Sequence, residues 1–334
     1  MRIFRSPAAE ARDVSYRVVF TDHPFGDLDV ERETLADLDV TLVDGEQTDE
    51  PLESLVAGAD ALLVTFAEID AAVIDELGEC RVVARGGIGL DNVDVEAATE
   101  RGIPVTNVPD YCVPEVAAHT LALLLALERN VVSFDDGVRR GEWDAAAGDD
   151  LHRLSTRTLG LVAFGTIGQA VAERAEAFDI PVVAFDPNVD GDEMREQGIT
   201  PVDSFGELLT EADAVSLHAP LTDDTRHLVD EAALEQMDED AYLINTARGG
   251  LVDEDALTAA LDDGDIAGAA LDVREREPPG PDDSLRKRDD VVLTPHAAYR
   301  SRESVAELRR RNVENVRRAF SGEPLENVAN PDVL

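Results

Sequence analysis

Short apolar runs alternate with amphipathic stretches along nearly the whole chain. That alternation marks βαβ units, and so parallel sheets covered by helices. A first set of runs predicts strands at Tyr16–Phe20, Val40–Val43, Ala61–Val64, Arg81–Ala84 and Pro104–Thr106, with helices at Ala71–Leu77 and Val95–Glu100 between them. A second set predicts strands at Leu159–Phe164, Pro181–Phe185, Ala214–Leu217, Ala241–Asn245, Gly268–Leu271 and Val291–Leu293. Helices are expected after Thr166 and at Asp255–Leu261. Between the two sets, Pro114–Arg129 reads as one helix with Pro114 in its first turn, apolar on so much of its circumference that it must be buried. A charged amphipathic helix, Glu303–Phe320, and a polar tail close the chain. The expected fold class is α/β: two Rossmann-like, doubly wound parallel sheets.

A chain of 334 residues is long enough for two such domains, each with its own core. Aromatic residues make up only 4%, so those cores rest on Ala, Val, Leu and Ile. The charge changes the picture more. There are 72 acidic residues against 29 basic ones, a net charge of −43, and Lys287 is the only lysine. Such a charge repels nucleic acid and anionic membranes, which excludes both as partners. The acids are spread through periodic, apolar-rich sequence rather than gathered in a tail, so a disordered chain is excluded too. A dispersed acid excess with almost no lysine predicts adaptation to molar salt, where the Debye length falls to about 3 Å and carboxylate repulsion is screened. The opening MRIFRSPAAEARD carries no apolar leader run, and Leu121–Leu127 is too short to span a bilayer. Cys80 and Cys112 give neither a disulfide framework nor a metal cluster, and a cytoplasmic setting with two reduced thiols is expected.

Ala163-Phe164-Gly165-Thr166-Ile167-Gly168 follows a predicted strand and opens a predicted helix. It is a dinucleotide fingerprint with alanine at the first glycine position. Gly165 lets the backbone approach a pyrophosphate, Gly168 lets helix and strand pack closely, and the N–H groups of Thr166 and Ile167 lie at a helix N-terminus that favours phosphate. The next strand ends in Asp186, 18 residues beyond Gly168. A carboxylate there accepts hydrogen bonds from the ribose hydroxyls and repels a 2′-phosphate, which predicts NAD over NADP.

Three further strand ends carry charged residues: Arg248-Gly249 after Asn245-Thr246-Ala247, Glu277-Pro278 after Asp272, and Pro295-His296 after Thr294. Ligands of parallel sheets gather beyond the carboxyl ends of strands. Taken singly, each has an ordinary structural reading. Together, in order and spacing, Arg248-Gly249, Glu277-Pro278 and Pro295-His296 resemble the signatures of the D-isomer-specific 2-hydroxyacid dehydrogenase family over nearly the whole chain. Residues 85–92, 110–116 and 296–299 are similar to its C-terminal-binding-protein branch, with Tyr299 where that branch usually has tryptophan.

The resemblance implies a flavodoxin-like substrate-binding domain at 1–106 and 298–334, with an NAD-binding domain at 107–297 inserted in it. It implies an NAD-dependent oxidoreductase acting on a D-2-hydroxy acid/2-keto acid pair. Arg248, Glu277 and His296 would be catalytic. Gly165, Thr166, Ile167, Gly168, Asp186, His218, Ala219, Pro220, Thr225, Thr246, Ala247, Arg248, Asp272 and His296 would hold the cofactor, with Asp272 on the nicotinamide carboxamide. Arg85, Ile88, Gly89, Arg248 and Tyr299 would meet the substrate.

The chemistry suits those residue types. Reduction of a 2-keto acid needs a hydride from NADH and a proton for the developing alkoxide. Imidazole is the side chain suited to move that proton near neutrality, so His296 is the expected general acid/base. Glu277 would hold its ring, and the guanidinium fork of Arg248 would polarise the carbonyl and pair with the carboxylate. 3-Phosphoglycerate is one possible substrate, and an NADH-sensing interaction protein with little turnover is the reading from another class. Family members are usually homodimers, for which the 114–129 helix and the loop with Trp143 are candidate contacts. His119 is expected to pair within its helix with Glu115. His23, His152 and His227 show no partner pattern, and no spacing suggests a metal.

Overall fold

The computed structural model describes residues 15–148 and 151–334. The opening MRIFRSPAAEARD, in which no leader run was read, lies outside them. The chain divides into two compact units, one of residues up to 111 with 302–334 and the other of residues 112–301. The divisions fall a few residues beyond the 106/107 and 297/298 positions expected from the sequence.

The first unit holds five parallel strands: β1 Tyr16–Phe20, β2 Val40–Asp44, β3 Ala61–Val64, β4 Val83–Arg85 and β5 Val105–Thr106. Their order is β2-β1-β3-β4-β5, the flavodoxin-like arrangement with its switch point between β1 and β3. β3 is buried at every position, so both sheet faces are covered and alternation disappears from the central strand. Helix Arg302–Ser321 returns to this unit, with Val313, Val316 and Phe320 in the same core as Val18, Phe20 and Leu63. The tail is not a loose end. Val328 bridges Thr106, and buried Asn330 accepts the Val105 N–H at 2.8 Å and donates to the Ile103 carbonyl.

The second unit is a seven-stranded parallel sheet. Its strands are β6 Leu159–Val162, β7 Val182–Phe185, β8 Thr200–Pro201, β9 Ala214–Leu217, β10 Tyr242–Asn245, β11 Gly268–Leu271 and β12 Val291–Leu293, in the order β12-β11-β10-β9-β6-β7-β8. That is the Rossmann order with one strand added, and its switch point lies between β6 and β9. β6 stops at Val162 rather than at Phe164, because Ala163 turns the backbone to φ 71°. β8 has no counterpart in the predicted set.

Helix Val113–Glu128 packs on helix Thr166–Glu176 and against β10, with Leu121, Leu123, Leu124 and Leu127 buried. Each such leucine contributes about 1.5–3 kcal/mol of apolar burial. Part of the acid surplus caps helices: the carboxylates of Asp70, Asp94, Asp190, Asp230 and Asp253 accept N–H groups of the first turns they precede. Each cap is worth about 1 kcal/mol. Cys80 and Cys112 are both buried. No single helix among the described residues is long and apolar enough to cross a membrane.

Candidate active site

The dinucleotide turn joins β6 to helix Thr166–Glu176. Ala163, where the fingerprint has its first glycine, adopts the left-handed conformation at φ 71°, which costs about 1–2 kcal/mol for a residue with a Cβ. A Cβ on Gly168 would lie 2.6 Å from the Ala163 carbonyl oxygen, so that glycine is required by the packing of the turn itself. A Cβ on Gly165 would meet no protein atom within 4 Å. The open space there, ahead of a helix N-terminus with no side-chain cap, fits the approach of a phosphate group to the Thr166 and Ile167 amides.

Asp186, just past β7, accepts the Phe164 N–H at 2.9 Å through Oδ2 and the Asn188 N–H at 2.8 Å through Oδ1. One carboxylate thus braces the turn while each oxygen keeps lone-pair capacity for a ribose hydroxyl. Beyond β9, His218 Nε2 lies 3.0 Å from Ser216 Oγ. The His218 ring is half-buried, and loss of hydration lowers its pKa to about 4, which keeps it neutral at physiological pH. Ala219 is buried, and Thr225 Oγ1 donates to the Pro220 carbonyl at 2.7 Å, closing the 220–225 loop on itself.

Beyond β10, Asn245 ties down the arginine turn. Its Nδ2 donates to the Arg248 carbonyl at 2.8 Å and its Oδ1 accepts the Ala247 N–H at 3.0 Å. Arg248 Nη1 donates to the Ala247 carbonyl at 2.7 Å. Thr246 Oγ1 lies 2.9 Å from Thr120 Oγ1 on the Val113–Glu128 helix. Gly249 is obligatory: a Cβ there would fall 1.9 Å from the Arg274 carbonyl carbon, so the arginine turn and the glutamate loop lie in direct backbone contact. That loop is anchored by buried Arg274, whose Nε and Nη2 engage both oxygens of Glu254 at 2.7 and 2.8 Å, with Asp283 also on Nη2. The Arg274 N–H in turn donates to Glu277 Oε1 at 2.9 Å.

His296 Nδ1 lies 2.7 Å from Glu277 Oε2. An ionised carboxylate only accepts, so Nδ1 carries the hydrogen and Nε2 is the nitrogen left to exchange a proton. His296 sits at φ 49°. Its N–H donates to the Asp272 carbonyl at 2.7 Å. The Asp272 carboxylate, 1% exposed, accepts from Thr294 Oγ1 at 2.6 Å, Ala297 N–H at 2.9 Å and Ala298 N–H at 2.8 Å. Asp272 therefore shapes the histidine turn first. The Tyr299 ring stands edge-on to the His296 ring, with centroids 6.4 Å apart.

In the first unit, Arg85 ends β4 and is buried, with Nε donating to Asn92 Oδ1 at 3.2 Å. Asn92 in turn donates to the Ala67 carbonyl at 2.9 Å. The Ile88 carbonyl accepts from Asn107, while the Ile88 and Gly89 N–H groups meet no acceptor among the described residues.

The expected His119–Glu115 pair is absent. Glu115 Oε1 instead accepts the Ser301 hydroxyl at 2.7 Å, and His119 Nε2 lies 3.0 Å from Thr294 Oγ1. His23, His152 and His227 also have partners that the sequence did not announce, in Asp44, Asp240 and Glu275. No group of three or more His, Cys, Asp or Glu among the described residues could hold a metal.

A Rossmann-order sheet with a glycine turn suited to phosphate, and a histidine–carboxylate pair at the ends of neighbouring strands, define a dinucleotide-binding α/β protein. The family model described as D-isomer specific 2-hydroxyacid dehydrogenase, NAD binding domain, matches residues 121–298. The chain belongs to that family, and its 112–301 unit contains the family's NAD-binding domain. It is 42% identical over 286 residues to the glyoxylate reductase of Korarchaeum cryptofilum, covering 84% of this chain and 85% of the relative. It is 39% identical over 284 residues to the D-3-phosphoglycerate dehydrogenase of Methanocaldococcus jannaschii, covering 85% of this chain but only 54% of that relative, so the chain spans about half its length. Among solved structures, the D-lactate dehydrogenase of Aquifex aeolicus complexed with NAD and lactic acid is similar with a TM-score of 0.85 at 30% identity, over 94% of this chain and 99% of that one.

Proposed function

We propose that the chain interconverts a 2-keto acid and the corresponding D-2-hydroxy acid with NAD(H), and that His296 is its general acid/base. The observation that carries this reading is the 2.7 Å contact between His296 Nδ1 and Glu277 Oε2. NADH, when bound, supplies the hydride. His296 Nε2 gives its proton to the developing alkoxide and takes it back in the reverse direction. Glu277 keeps Nδ1 protonated and the ring fixed, and its own position is set by the Arg274 N–H. The Arg248 fork pairs with the substrate carboxylate and polarises the carbonyl. Tyr299 borders the substrate. Asp186 favours NAD over its 2′-phosphorylated form by charge.

Small unphosphorylated 2-keto acids are the preferred substrates. The likeness to a glyoxylate reductase runs along 85% of that relative, whereas the phosphoglycerate dehydrogenase is matched along 54%. A panel of glyoxylate, hydroxypyruvate, its phosphate ester and bulkier keto acids, offered with NADH and with NADPH at high salt, tests the assignment. Tight NADH binding without reduction of any of them would point instead to a sensor.

The protein works as a homodimer. Support comes from helix Val131–Arg139 and the loop after it, where Val131, Val132, Val138 and Trp143 are exposed, Trp143 at 91%. Helix Val113–Glu128, the other expected contact, is largely committed to the core of its own unit. Light scattering after gel filtration distinguishes dimer from monomer. The acid-rich, lysine-poor charge supports a protein built for concentrated salt.

A further inference from the structure

Helix Val113–Glu128 presents two consecutive polar side chains to the strand ends of its own unit: His119 to Thr294, and Thr120 to Thr246. The first contact leads to the histidine turn. Thr294 Oγ1 donates its single hydrogen to Asp272 Oδ1 at 2.6 Å. It must then accept from His119, so Nε2 of His119 carries a hydrogen. Asp272 passes the constraint on through the Ala297 and Ala298 amides, the two residues after His296. Those bonds hold His296 in a left-handed conformation that a side-chain-bearing residue seldom adopts and that surrounding structure must enforce.

His119 is not there as filler. Its side chain is 25% exposed, so leucine would serve if apolar volume were all the position required. Glu115, one helical turn before it, is engaged by Ser301 and does not pair with it. Its Nε2 also lies 3.6 Å from Asp272 Oδ1, which places a polar hydrogen beside a buried carboxylate. If the Thr294 hydroxyl turned away, the Asp272 carboxylate, 1% exposed, would lose one of its three hydrogen bonds, a penalty for a buried polar group.

We propose that His119 is a positioning residue for His296, acting through Thr294 and Asp272. The inference rests on the reading of His296 as the general acid/base. His119 orients the Thr294 hydroxyl, the hydroxyl completes the Asp272 cage, and the cage sets the direction of the His296 ring.

The test compares His119→Leu, His119→Gln and Thr294→Val in the full chain. His119→Leu is expected to lower kcat about tenfold or more while the Kd for NADH changes less than about twofold. Glutamine, whose Nε2 reaches the same hydroxyl, restores most of the loss, and adding Thr294→Val to His119→Leu costs little more than either change alone. Hydrogen exchange provides a readout that needs no turnover. The amides of 296–298 exchange at least about tenfold faster in His119→Leu than in the parent or in His119→Gln. Unchanged kcat and exchange in His119→Leu, or a glutamine variant as impaired as the leucine one, would overturn the proposal. Failure of the parent to reduce any keto acid would contradict the catalytic reading alone, and exchange at 296–298 would still decide whether His119 holds the turn.

Discussion

Glu277 accepts from His296 Nδ1 with one oxygen and from the Arg274 N–H with the other, so the glutamate is itself held on the side away from the histidine. A carboxylate fixed in this way keeps one imidazole tautomer and supports the cation that forms when the ring takes a proton. Glu277→Gln preserves the shape but removes the charge. It is expected to lower kcat about tenfold or more, within the range typical of general acid–base catalysis, with little change in NADH affinity. Stopped-flow hydride transfer and NADH fluorescence titration read the two effects separately.

The two fingerprint glycines make opposite demands. A Cβ at 168 would collide with the Ala163 carbonyl, whereas a Cβ at 165 would meet only open space. Gly168→Ala should therefore lower the melting temperature of the free protein. Gly165→Val should leave that temperature nearly unchanged and weaken NADH binding by about tenfold or more, through obstruction of the pyrophosphate. Differential scanning fluorimetry with and without NADH separates the cases.

His218 carries a pH signature. Its folded pKa of about 4 lies below the ordinary 6.5, so the unfolded chain binds the extra proton first as pH falls. Stability at this residue is complete above 6.5 and declines between 6.5 and about 4. Carboxylates held low, such as Glu314 by the hydrogen bond from Arg317, add their losses only below their ordinary value of 4.5. His218→Gln should thus flatten the dependence of unfolding free energy on pH between 6.5 and 4.5, as measured by denaturant titration of the cofactor-free protein.

A net charge of −43 opposes compaction wherever it is unscreened. Raising KCl from about 0.1 M to about 3 M should increase the melting temperature by on the order of 10 °C. Equal melting points in dilute and concentrated KCl would show that repulsion does not limit stability.

Strands buried on both faces were legible in the sequence because they appear as uninterrupted apolar runs, as in Ala61–Val64. Thr200–Pro201 escaped notice because a two-residue edge strand that includes proline has neither apolar run nor alternation. The end of β6 was misread because the apolar pattern continues through Ala163 and Phe164, while the chain turns where glycine would ordinarily signal it.

In the site, motif order brought out Arg248, Glu277 and His296. His119 was read as a local pair with Glu115, since four-residue spacing on a helix is visible in a sequence. Its actual partner, Thr294, is 175 positions away and becomes adjacent only when the helix packs beneath β12. The Arg274–Glu254 pair was hidden in the same way, 20 positions apart.

We propose that His296 moves the proton and that its imidazole is not required for NADH binding. The most direct test is steady-state reduction of a 2-keto acid panel by NADH at high salt, with the parent protein beside His296→Ala. The parent should oxidise NADH with at least one small 2-keto acid and yield the D-2-hydroxy acid. The variant should lose roughly 10²–10⁴-fold in kcat and bind NADH as before. Undiminished turnover by His296→Ala would contradict the account.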